Sequence, residues 1–92
     1  MNSPHRWSIS DDIVTLYLYR FGDASLPLGQ PKIAERLDIG PGSLDMRKRN
    51  FAFLDGRGRL KNAANQTRAV RERYGNLTEA ELRTLVVRIL DA

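Results

Sequence analysis

The chain has no cysteine, which excludes disulfides, cysteine-bound zinc and thiol nucleophiles. An intracellular, cytoplasmic setting is the expectation that accompanies that absence. A single histidine, His5, stands near the start, with no Ser/His/Asp set and no cluster of metal-ligating residues around it. No stretch approaches the roughly 20 apolar residues that cross a bilayer, and the opening MNSPHRWSIS lacks the apolar run of a secretory leader. The sequence GRGR at 56–59 lacks the strand–glycine–helix setting of a nucleotide-binding loop. Together these absences argue against an enzyme, a cofactor, a metal site, membrane insertion and a small-molecule substrate.

The chain does hold enough residues, 92, for one domain spanning 1–92 with a modest core. Its net charge of +4 is unevenly placed. Residues 47–73 carry nine Lys/Arg against only Asp55 and Glu72, whereas the flanking segments 1–46 and 74–92 each hold more acids than cations. A positive field concentrated in one third of the chain favours a polyanionic partner, although a basic helix face is also commonly just solvated.

Helical signals run through the whole sequence. Ser8 or Ser10 can cap a first helix, with Asp11 and Asp12 at its positive end. Ile13, Leu16 and Tyr17, beside Val14, Leu18 and Phe21, make a wide apolar stripe that ends at Gly22. Trp7 and Tyr19 read as further packing residues around this helix. The loop 23–30 follows, and a second helix begins near Pro31, with Ile33, Ala34 and Leu37 inward. DIGPG breaks it, and Ser43 can cap a third helix over 44–54, with Leu44, Phe51 and Leu54 on one side. DGRGRLKN, 55–62, is turn-rich and fits either a plain loop or a small wing-like hairpin. A fourth helix starts at Asn62 or Asn65 and closes at Gly75. Thr78 and Glu81 have capping-box spacing for a fifth, whose stripe is Leu82, Leu85, Val86, Ile89 and Leu90. The expected fold is an all-α bundle of about five short helices.

The segment QPKIAERLDIGPGSLDMR, 30–47, has the order of a helix-turn-helix. Ala34 supplies the small residue where two helices touch, Ile33 and Leu37 the inner side of the first, Ile39 the apolar pin in the turn, and Leu44 the early anchor of the second. Such a unit places its second helix in the major groove of duplex DNA. Asp38 stands where glycine is common in the turn, and Arg47 or Lys48 stands where the next inner anchor is expected. A lysine stem could pack there with its ammonium reaching outward.

The candidate DNA-binding residues are Ser43, Arg47, Lys48, Arg49, Asn50, Arg57, Arg59 and Lys61. Arginine can make paired hydrogen bonds to guanine and asparagine to adenine, or either can grip phosphate. On the docking helix Arg47, Arg49 and Asn50 are expected to be the most exposed to DNA, and the cations of 57–61 suit phosphate or minor-groove contact. Arg68, Arg71 and Arg73 could extend the field or be ordinary helix-surface charges. Phe51 and Phe53 also admit base stacking on single strands, but residues two apart on a helix face different ways, and a short apolar stripe usually means core.

The stretch 42–75 resembles a small helical module of bacterial and phage-associated proteins, found in regions that precede HNH-type nuclease domains in restriction-like proteins. The matching residues are Ser43, Met46, Arg47, Asn50, Phe51, Leu54, Asp55, Asn62, Ala63 and Tyr74. The resemblance implies association with double-stranded DNA and no nuclease activity, since the chain has no HNH-like histidine cluster. The competing expectation is a protein-interaction module whose last helix forms a homodimer or partner interface through its apolar stripe. A homodimer would equally serve DNA binding through paired half-sites.

Overall fold

The computed structural model describes residues 5–92, so the first four residues of the segment read for a leader lie outside it. Five helices follow one another: α1 (Ile9–Phe21), α2 (Gln30–Arg36), α3 (Pro41–Leu54), α4 (Asn65–Tyr74) and α5 (Glu79–Asp91). The fold is all-α, and no strand occurs among the described residues.

Local chemistry sets most of the boundaries. Ser8 and Asp11 form a reciprocal capping box at the start of α1, and Thr78 and Glu81 form another at the start of α5. Gly22 ends α1 with φ 75° and ψ −162°, a conformation that costs an L side chain about 1–3 kcal/mol. Pro31 sits in the first turn of α2. Pro41 does the same for α3, which therefore starts three residues before the expected 44. Gly40 is the residue that leads into α3, and Ser43 is already inside the helix without a capping bond. A proline in the first turn removes an N–H that has no partner there anyway, so it opens a helix as readily as it breaks one.

α1 is the axis of the molecule and packs against α3, α4 and α5. Every residue from Asp11 to Leu18 is buried, so this helix is enclosed on all sides rather than along a stripe. Leu82, Val86 and Leu90 of α5 are buried, and Leu85 and Ile89 pack partly buried against the same core. The stripe offered as a dimer or partner interface is therefore an internal surface. Tyr17 of α1 reinforces this contact by donating from its hydroxyl to Glu79 of α5. Ile33, Ala34, Ile39, Leu44 and Phe51 are buried, as the inner face of 30–54 requires, while Leu37 is half-buried. Phe51 enters the core and Phe53 stays half-exposed, which removes the paired-phenylalanine stacking platform. Tyr19 stacks beside Phe51 at 6.3 Å between ring centres.

The turn from α2 to α3 is closed by two backbone bonds, Asp38 N–H to Glu35 C=O (3.1 Å) and Ile39 N–H to Ala34 C=O (2.8 Å). This is a Schellman ending, which needs a left-handed residue at its centre. Asp38 fills that role with φ 57°. α3 ends the same way, with Gly56 N–H to Phe53 C=O (2.9 Å), Arg57 N–H to Ala52 C=O (2.7 Å), and Gly56 at φ 77°. The second bond folds the following loop back onto α3. Residues 55–64 are turns and irregular chain, so the loop form of this connector holds and a hairpin does not.

Candidate nucleic-acid interface

Arg47 does not face outward. Its Nε and Nη2 donate to the two carboxylate oxygens of Asp12, both at 2.7 Å. The Asp12 side chain is 0% exposed and that of Arg47 13%. Trp7 lies over the guanidinium at 4.5 Å. Gln66 of α4 donates to Asp12 at 2.8 Å and also to the Trp7 carbonyl at 2.9 Å. Thr67 adds a longer contact to Asp12 at 3.4 Å. The inner position after Leu44 is thus filled by a buried ion pair joining α1, α3, α4 and the segment before α1. That solves the missing apolar anchor, and it corrects the expectation that Arg47 is among the residues most exposed to DNA.

Asn50 is also occupied by the fold. Its Nδ2 donates to the Met46 carbonyl at 3.0 Å, and its Oδ1 accepts from the Ala64 N–H at 2.8 Å. It fixes the entry to α4, which begins at Asn65 behind Ala64 rather than at Asn62. Nothing in the local sequence around Asn50 signals a partner fourteen residues on. Lys48 is half-buried and its ammonium donates to Gln30 Oε1 at 3.1 Å, so its stem packs and its head reaches outward. Gln30 Nε2 in turn contacts Asp45 at 3.3 Å, so the first residue of α2 holds two residues of α3. The single histidine is likewise engaged, with His5 Nε2 2.7 Å from Asp11.

The remaining candidates are exposed: Ser43, Arg49, Arg57, Arg59 and Lys61. A shallow groove lined by Tyr19, Asp45, Lys48, Arg49 and Ala52 brings α1 and α3 together at the surface. At its Tyr19 side, the tyrosine hydroxyl donates to Asp55 at 2.9 Å, and Arg71 Nε donates to the other oxygen at 2.8 Å. Partial burial works against ionisation of Asp55, but the bonds from Arg71 and Tyr19 and the charges of Arg71 and Arg57 outweigh it and hold its pKa below 3.8. Tyr19 moves the opposite way, above 10.0, through burial and then its bond to the Asp55 carboxylate. Arg57 is therefore near the groove. A Cβ on Gly58 would lie 3.7 Å from Ala52, a groove residue, so the loop bearing Arg57 and Arg59 runs against α3. Arg68 bonds Asn62 at 3.0 Å and lies 5.9 Å from the Phe53 ring centre.

Of the nine cations in 47–73, only Arg47 and Arg71 pair with a carboxylate among the described residues. Lys48, Arg49, Arg57, Arg59, Lys61, Arg68 and Arg73 form no ion pair with a described residue, although the Arg57 charge acts on Asp55, and Glu72 is the one unpaired acid of the segment. No family model, curated protein or solved structure matches this chain.

Proposed function

We propose that the protein binds duplex DNA, using α2 and α3 as a helix-turn-helix and the loop after α3 as a grip on phosphates. The observation that carries this reading is the set of cations free of carboxylate partners, five of which belong to α3 or the loop folded against it: Lys48, Arg49, Arg57, Arg59 and Lys61. A fold that pairs its own structural cations and leaves these without ion pairs maintains a positive surface that attracts a polyanion. The buried Ala34, Ile39 and Leu44 and the left-handed turn at Asp38 support the helix-turn-helix assignment. Ser43 and Arg49 then form the docking side of α3, while Arg57, Arg59 and Lys61 hold the backbone. Arg47 and Asn50 leave the contact set and become scaffold. The resemblance of 42–75 to bacterial and phage-associated modules that precede HNH-type nuclease domains points the same way.

The test is titration of a labelled duplex across a salt series. About four to six phosphate contacts give a slope of log affinity against log salt between about −3.5 and −5.5. Absence of measurable duplex binding at low salt would refute the assignment.

A further inference from the structure

Three side chains on α3 have the chemistry for paired hydrogen bonds to a base: Arg47, Arg49 and Asn50. The fold commits two of them elsewhere. Arg47 spends its Nε/Nη2 edge on Asp12 and its side chain is only 13% exposed, and Asn50 is held by one bond to Met46 and one from Ala64, which fix the orientation of its amide. Asp45 is drawn to Gln30, and Lys48 to the same residue. Ser43 offers one hydroxyl, which bonds several bases alike. Met46 is 46% exposed and offers only apolar contact. Arg49 is the one residue of α3 whose guanidinium is exposed and makes no hydrogen bond or ion pair with any described residue.

Resting on the DNA-binding reading, we infer that this surface reads a single base directly, a guanine through Arg49, and binds the rest of its site through the backbone. The other cations without ion pairs are off the docking helix or, like Lys48, tied to its flank. Arg57 and Arg59 sit in a loop whose Gly56 and Gly58 take left-handed conformations, and Arg68 sits on α4. Cations so placed position a duplex on its phosphates or, in the minor groove, tell little more than A·T from G·C. The partner is therefore duplex DNA at many sites rather than one long operator.

Selection from a randomised duplex pool by the full chain tests this, alongside the salt titration. The expected result is one enriched G·C pair per protomer and a best-to-worst affinity ratio of about 5- to 150-fold, the discrimination of one paired arginine–guanine contact. That is below the roughly 10³-fold or more of typical specific binders. Arg49→Met keeps much of the reach but has no donor, so it should lose the guanine preference while the loop cations still give weaker, salt-dependent binding. A consensus of several base pairs, a ratio of about 10³ or above, or a preference that survives Arg49→Met would overturn the inference while leaving duplex binding intact. Loss of all duplex binding by the parent chain would overturn the DNA reading itself, and this inference with it.

Discussion

Arg47→Ala should unfold this protein more than it disarms it. The substitution leaves the Asp12 carboxylate, 0% exposed, with Gln66 at 2.8 Å and the longer Thr67 contact as its side-chain donors. Breaking a buried pair by removing one partner costs about 3–5 kcal/mol, because the other charge stays buried without compensation. The two neutral donors that remain place the loss toward the lower end, near 3 kcal/mol. A chain of 92 residues has a total stability on the order of 5–14 kcal/mol, so the loss is a large fraction of it. Arg49→Ala, two residues along the same helix and exposed, should change stability by less than about 0.5 kcal/mol. Urea unfolding followed by far-UV circular dichroism measures both. Fluorescence of Trp7, the single tryptophan, reports the hub separately, since its ring lies 4.5 Å from the Arg47 guanidinium. A loss under about 1 kcal/mol for Arg47→Ala, or equal losses for the two variants, would refute the structural role assigned to Arg47.

The two helix endings and the ionisable cluster give further expectations. Gly56→Ala, at φ 77°, should lower stability by about 1–2 kcal/mol, and Asp38→Gly, at φ 57°, should raise it by about 0.5–1 kcal/mol, both read from thermal melts. Asp55 has a folded pKa below its ordinary 3.8, so its contribution is present above pH 3.8 and is lost as pH falls through the folded value. Asp55→Asn should flatten that acid limb of the melting curve. Tyr17, raised by burial and by its bond to Glu79, and Tyr19, raised by burial and by Asp55, stabilise the fold below pH 10.0. That contribution is lost as pH rises through their folded values, so Tyr19→Phe should reduce the alkaline fall in melting temperature.

The number of helices and most of their ends were legible because their signals are local. Thr78 with Glu81 and Ser8 with Asp11 each act within one helical turn, and Gly22 stops α1 through its own backbone conformation. The start of α3 is harder to place, because a proline both breaks one helix and opens the next: Pro41 opens α3 as Pro31 opens α2. The function of the basic run was harder to read. Arg47 and Arg49 are alike in sequence, and what separates them is Asp12, thirty-five residues away from Arg47. Asp11 and Asp12 look like two acids at a helix start. Only Asp11 caps; Asp12 is turned into the protein interior from a helix that has no exposed residue from 11 to 18. The signal available was the gap itself: a cation at an inner helix position calls for a buried acid elsewhere. Asn50 gave no comparable hint, since its partner is a backbone N–H.

Duplex binding by a loop variant, Arg57→Ala/Arg59→Ala/Lys61→Ala, measured beside the parent chain over a salt series, tests the central claim most directly. All three side chains are exposed, and none makes an ion pair with a described residue, so the variant should melt close to the parent. The proposed phosphate grip predicts that it loses affinity by about tenfold or more at moderate salt, with a salt slope shallower by up to about 2.7, the share of three phosphate contacts. A variant that melts like the parent and binds duplex with the same affinity and the same slope would contradict the account.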